Sequence, residues 1–210
     1  MKMKKHISKG VYVVLDPEMN RVDLLKKLEL ISKEQIAAVQ IWDNFKPEND
    51  YESLIVDICH LFQSQETPVL LNNRWEWSKS LPVDGVHFDT MPENLAEIKS
   101  QLQADMLFGI TCNNDLELVK QAGKRGFDYI SFCSVFPSKT SNSCELVSFD
   151  TIRQAHEEID IPVFLSGGIT PATLEKLAGL PFSGVAVVSG VMSAPDPVEA
   201  IKTYNERLKL

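Results

Sequence analysis

Two glycine turns late in the chain carry the same chemical possibility. Ser166-Gly167-Gly168-Ile169 is followed by Thr170-Pro171, and Val188-Ser189-Gly190 comes after it. Glycine lets backbone N–H groups approach a ligand closely, and a helix N-terminus adds a partial positive charge. Gly167, Gly168, Val188 and Ser189 are therefore candidates for a phosphate cradle. The plain alternative is that these glycines only serve tight turns.

Other residues stand at the ends of apolar runs, where a scaffold can present them. Phe136-Pro137-Ser138-Lys139-Thr140-Ser141 brings hydroxyls and a cation together. Ser138, Lys139 and Thr140 can close over a phosphate or diphosphate, or form an ordinary solvated loop. Gln40 offers both a donor and an acceptor to a heterocycle. Trp42 can stack on such a ring or pack between sheet and helix. Asn72 points to the same region. Arg74 can pair with phosphate or cover the next helix with its stem. His87 titrates near neutrality and can act as an acid or base, although a lone histidine at a strand end is more often structural. Thr111 is a candidate substrate contact. Its neighbour Cys112 lacks an evident partner base, which argues against a nucleophile. His6, His60 and His156 lie off the strand ends and carry no assigned role.

The elements that position these residues alternate regularly. Strands are expected at Tyr12–Asp16, Ala37–Asp43, Pro68–Asn72, Gly85–Asp89, Met106–Cys112, Tyr129–Val135, Pro162–Gly167 and Gly184–Ser189. Helices are expected at Arg21–Ser32, Glu52–Gln65, Asn73–Leu81, Pro92–Leu102, Asp115–Gly126, Ser148–Asp160, Thr170–Leu180 and Asp196–Leu208. Thr170-Pro171 and Asp196-Pro197 read as an N-cap followed by proline at the first helical position. Leu24, Leu25, Leu28 and Ile31 fall on one helical face. The strands are continuous apolar runs, as parallel strands covered on both sides should be. Eight such units predict a single (β/α)8 TIM barrel over residues 1–210, with residues 1–10 as an N-terminal tail. An open doubly wound sheet usually has a glycine-rich first turn. Here that turn is Asp16-Pro17-Glu18-Met19-Asn20. The long polar connection Phe136–Val147 is a lid candidate at the catalytic face.

Composition narrows the classes. The 210 residues include 21 Lys and Arg against 29 Asp and Glu, a formal charge of −8. That balance argues against nucleic acid or an anionic membrane as partner, but not against an anionic small molecule. Lys2, Lys4, Lys5 and Lys9 imitate the basic start of an export signal. The apolar run behind them, Val11–Leu15, is too short for one, so a cytoplasmic protein is expected. Cys59, Cys112, Cys133 and Cys144 form no Cys-x-x-Cys pair, and reduced thiols are expected. A barrel of this size can pair as a homodimer, although no residue identifies the patch.

In this order, the strand ends resemble the thiamine phosphate synthase family and its relative, the thiazole tautomerase family. The strongest matches are Asp128-Tyr129-Ile130 leading to Val135-Phe136-Pro137, then Gly167-Gly168-Ile169, then Gly184–Ser189. The resemblance implies a transferase of thiamine biosynthesis. It would join a hydroxymethylpyrimidine diphosphate to a thiazole phosphate with release of diphosphate and use of magnesium. It also implies that Ser138, Thr140, Gly168, Val188 and Ser189 hold the thiazole phosphate, with Gln40 and Asn72 on the pyrimidine.

The diphosphate end departs from the family. The family's Leu-Arg-Glu-Lys after Gln40 is here Ile41-Trp42-Asp43-Asn44, so both cations are gone. The family's Asn-Asp metal pair is Asn72-Asn73, and only a shifted Asp89 can stand for the second metal carboxylate. Magnesium would thus rest on Asn73 and Asp89. Ser141 replaces the lysine of the strand 6 loop, and Asn113 replaces the tautomerase histidine. Arg74 and Lys139 are the substitute cations on offer. The expectation is a synthase-like enzyme. The alternatives are a family member that binds a thiazole phosphate or thiamine phosphate without turnover, or an isomerase of a phosphorylated heterocycle based on His87 or Asp89. A barrel for an unrelated phosphorylated metabolite also remains open.

Overall fold

The computed structural model describes residues 4–138 and 145–208. Eight parallel strands close in sequence order: β1 (Gly10–Leu15), β2 (Ala38–Ile41), β3 (Val69–Asn72), β4 (Gly85–Phe88), β5 (Leu107–Cys112), β6 (Tyr129–Cys133), β7 (Val163–Ser166) and β8 (Gly184–Val187). β8 pairs with β1 through Gly10↔Gly184 and Val13↔Val187, which completes the barrel. The helices are α1 (Arg21–Ile31), α2 (Glu52–Leu61), α3 (Leu95–Gln101), α4 (Leu116–Lys124), α5 (Phe149–Glu158), α6 (Pro171–Leu174), α7 (Ser189–Met192) and α8 (Pro197–Leu208). The barrel expected from the sequence is the one formed.

Local chemistry sets the helix starts. Asn20 accepts from the amides of Val22 and Asp23, Asp115 from those of Glu117 and Leu118, and Ser148 from that of Thr151. At α6, Thr170 and Thr173 form a reciprocal capping box, with Pro171 at the first turn.

Some boundaries differ from expectation. The segment after β3 is a 3₁₀ stretch at Trp75–Lys79 rather than an α-helix from Asn73. Asn73 itself has φ of 59°, which no helix start tolerates. The expected helix over Thr170–Leu180 breaks after one turn into a 3₁₀ piece, Glu175–Leu177. β8 stops at Val187, and Ser189, expected as the last residue of that strand, opens the short helix α7.

Two layers of core hold the barrel. The larger lies between strands and helices and includes Val13, Leu28, Ile55, Val86, Ile110, Ile130 and Leu165. The smaller fills the barrel itself with Tyr12, Leu70, Leu107, Tyr129, Phe164 and small alanines. Tyr12 and Tyr129 each meet Phe164 edge-on, with centroids 5.4 and 5.8 Å apart. Gly109 makes room for this cluster, since a Cβ there would stand 2.0 Å from the Tyr129 ring. At the opposite end of the barrel from the strand C-termini, Lys5 Nζ donates to the carbonyls of Phe62 and Thr67 at 3.0 and 2.9 Å. It also pairs with Asp84 at 3.2 Å. Among the described residues no helix is long and apolar enough to cross a membrane.

Candidate active site

A cavity of about 420 Å³ opens at the C-terminal ends of the strands. Of the residues singled out from the sequence, Gln40, Trp42, Asn72, His87, Asp89, Thr111, Ser138, Gly167, Gly168, Val188 and Ser189 line it. Asn73 and Arg74 do not. Lys139 and Thr140 lie outside the described residues. Sequence reasoning passed over Tyr12, Ser131 and Cys133, which point inward from strands read there only as apolar runs, and quoted Ser166 in its turn without giving it a role. Their signal was the period of two: a polar tip at alternate positions of an apolar strand marks the face toward the barrel axis.

The cavity floor is a hydrogen-bonded chain with a defined direction. Tyr12 Oη donates to Gln40 Oε1 at 2.6 Å. Its single proton is then spent, so at 2.8 Å the Tyr129 hydroxyl must donate to Tyr12. The Tyr129 oxygen in turn accepts from His87 Nδ1 at 2.9 Å. That leaves His87 Nε2 as an acceptor for the Thr111 hydroxyl, also at 2.9 Å. Gln40 uses its carbonyl oxygen on Tyr12, so its NH₂ is the group it offers to the cavity.

The same chain changes the expected role of His87. Burial lowers its pKa to about 4, against the upward pull of the Asp89 carboxylate. Both ring nitrogens are occupied, and the ring is neutral at physiological pH. His87 is therefore a link in the floor rather than the acid or base expected from its strand-end position. Burial also pushes the Cys112 thiol up to about 12, which leaves it no thiolate for nucleophilic work.

The phosphate end is built from backbone. Gly167 and Gly168 take φ of 85° and 64°, a left-handed pair available to glycine at little cost. A Cβ on Gly168 would also lie 2.5 Å from the Pro137 carbonyl, so the β6 loop rests directly on this turn. The start of α7 lies beside it. The amides of Val191 and Met192 bond back to the Val188 carbonyl. Those of Ser189 and Gly190 have no acceptor among the described residues, as the first N–H groups of a helix should not. Lys27 donates to the Met192 and Ala194 carbonyls at 2.6 and 3.2 Å and so caps the far end of α7.

The opposite end is organised by carboxylates and amides. Asn73 Nδ2 donates to Asp43 at 3.2 Å and to Asp89 at 2.9 Å. Its Oδ1 accepts from the Asp89 amide at 3.0 Å, which fixes the side chain against a flip. Asn72 Nδ2 holds the other Asp89 oxygen at 2.9 Å. Arg74 Nε pairs with Asp43 at 2.7 Å, is 46% exposed, and lies over the Trp77 ring.

Magnesium requires oxygen ligands. The set expected to hold it turns N–H donors toward both carboxylates, and the one oxygen of Asn73 is taken by backbone. As arranged, these residues do not fit the metal. Among the described lining residues Asp89 carries the one formal charge, and Arg74, expected to face the site, is turned to Asp43 instead.

The family model described as thiamine monophosphate synthase matches residues 11–191. A thiamine-phosphate synthase of Prochlorococcus marinus is 30% identical over 194 residues, covering 91% of this chain and 54% of that protein. This chain spans between 54% and 61% of the length of that relative and two from Xylella fastidiosa. A thiamine-phosphate synthase of Alkaliphilus oremlandii is 25% identical over 210 residues and the full length of both chains. The solved structure of a thiamine phosphate pyrophosphorylase from Pyrococcus furiosus shares the fold, with a TM-score of 0.79 at 21% identity over 95% of each chain. Because the family model covers the barrel from its first strand through the short helix after the last, the chain belongs to the thiamine monophosphate synthase family.

Proposed function

We propose that the protein joins a pyrimidine methyl diphosphate to a thiazole phosphate. One observation carries this reading: a backbone cradle suited to a monophosphate shares one cavity with a Gln40 amide whose direction is fixed by Tyr12. The thiazole phosphate would sit with its phosphate on Gly168, Ser189 and Gly190. The pyrimidine would lie against Gln40, with Trp42 at its face. The bond between the pyrimidine methylene and the diphosphate oxygen breaks, and the electron pair leaves with diphosphate. The thiazole nitrogen lone pair then forms the new C–N bond and gives a thiazolium.

Charge on the leaving group falls to Arg74, released from Asp43, and to Lys139. Magnesium is implied by the family resemblance, and Asn73 and Asp89 as arranged would not hold it. A second reading, a protein that binds the thiazole phosphate without turnover, is favoured by one fact. The described lining holds a carboxylate and no cation.

The test is diphosphate release by purified protein supplied with both substrates and magnesium, beside Arg74→Ala and Lys139→Ala. Release that falls in both variants supports the synthase. No release above a blank, with the thiazole phosphate still bound, overturns it in favour of the second reading.

A further inference from the structure

Tyr204 lies on α8, outside the cavity, yet it touches both halves of the phosphate cradle. It is 1% exposed. Its hydroxyl donates to the Ile169 carbonyl at 3.0 Å. The same hydroxyl lies under Gly190, where an added Cβ would stand 2.3 Å from the oxygen and 3.1 Å from the ring carbon that bears it. Ile169 directly follows the left-handed Gly167-Gly168 pair, and Gly190 is in the first turn of α7.

The bond to Ile169 acts on a whole peptide plane. The carbonyl of Ile169 and the amide of Thr170 belong to one rigid unit. Tyr204 holds the carbonyl, and Thr173 Oγ1 accepts from the Thr170 amide at 2.8 Å. The plane is thus pinned at both ends, which fixes how the glycine turn before it presents its N–H groups. The ring packed against Gly190 sets the distance from that turn to the start of α7. Burial pushes the Tyr204 phenol up to about 12, so it remains a donor throughout the neutral range.

We propose that Tyr204 is a positioning residue that holds the Gly167–Ile169 turn and the N-terminus of α7 in register, so that both close on one phosphate. The proposal rests on the reading of this cradle as a phosphate site. Backbone donors converge on an anion only if their two supports keep a fixed spacing, and the Tyr204 phenol touches both supports. A small displacement of oriented donors weakens each bond they make.

The experiment is a titration of the full chain with inorganic phosphate, followed by amide resonances in two-dimensional NMR. In the wild type, Gly168, Ser189 and Gly190 should shift together with one binding constant. Tyr204→Phe keeps the ring and removes one hydroxyl. It should weaken phosphate about tenfold, the effect of losing one hydrogen bond's worth of alignment. It should also uncouple the Gly168 response from those of Ser189 and Gly190. Ile201→Val, a buried change on the same helix that keeps the phenol, separates this effect from lost stability and should bind as the wild type does. Should Tyr204→Phe fail to fold, Gly190→Ala presses on the same contact from the other side and must give the same uncoupling. Wild-type affinity with coupled shifts in a folded Tyr204→Phe overturns the proposal, as does equal weakening by Ile201→Val. Wild-type amides that ignore phosphate would instead remove the cradle, and the proposal with it.

Discussion

Nδ1 of His87 and the hydroxyl of Tyr129 stand 2.9 Å apart, with their rings stacked at 28° and their centroids separated by 5.5 Å. The contact joins β4 to β6 across β5 and sets the tautomer of the histidine. It also makes the floor of the cavity sensitive to acid.

The folded chain holds His87 neutral down to about pH 4, whereas an unfolded histidine takes its proton near 6.5. Between these values the unfolded state binds more protons. Stability from this group is therefore whole above pH 6.5 and lost as pH falls to about 4. The loss should be on the order of 3 kcal/mol. Urea unfolding at pH 7, 5.5 and 4.5 checks it. His87→Gln should flatten this part of the slope, and an unchanged slope would remove His87 as its source.

Tyr12→Phe should loosen the heterocycle end without touching the phosphate end. The change leaves Gln40 Oε1 without its donor and Tyr129 without its acceptor. Stability should fall by about 1–3 kcal/mol, the usual result of stranding buried polar groups. Affinity for a pyrimidine diphosphate should drop while phosphate binding holds. Calorimetric titration of each ligand separates the two effects.

Gly168→Asp should abolish binding of a phosphate ligand. A side chain at φ of 64° is strained by about 1–2 kcal/mol. Its Cβ would press on Pro137, and the carboxylate would repel the ligand. Trp42 fluorescence can follow thiazole phosphate binding, with Trp42→Phe as the control for Trp75 and Trp77. Retained affinity in Gly168→Asp would move the site elsewhere.

Asn73→Asp should create a magnesium site where the wild-type amide donates to the carboxylates instead. The substitution replaces two N–H donors with oxygen among Asp43 and Asp89. Without metal, the added like charge should lower the thermal midpoint, and magnesium should restore it. Wild-type protein should show no magnesium-dependent shift. A shift of equal size in both proteins would mean that the amide does not block the ion.

The barrel was legible because each strand is a short apolar run and two helix starts, Thr170-Pro171 and Asp196-Pro197, carry a cap followed by proline. Gln40, Asn72 and the two glycine turns were legible for a related reason: in this fold, strand ends face the mouth. What escaped depended on partners far apart in the chain. Tyr12 and Tyr129 read as apolar filler until the barrel brings their hydroxyls together. Arg74 looked like a free cation because nothing local shows that Asp43 takes it. Asn73 looked like a degraded ligand, whereas its left-handed backbone and fixed amide make it a donor. The start of α7 was hidden because Ser189 reads as the end of an apolar strand and Gly190 as the turn after it. Tyr204 sits on the last helix at an ordinary buried position, and only the fold brings it to the cradle.

The aromatic packing of Tyr12, Tyr129 and Phe164 has a consequence for traffic. Among the described residues it fills the barrel below the cavity, so ligands would enter from the mouth at the strand C-termini. Under the proposed function, the two substrates would then enter by the same route, the deeper one first. Their joined product would leave past whatever lies nearest the entrance. Order of arrival and departure is then a matter of depth, and a dead-end analogue of the inner molecule should trap nothing beneath it.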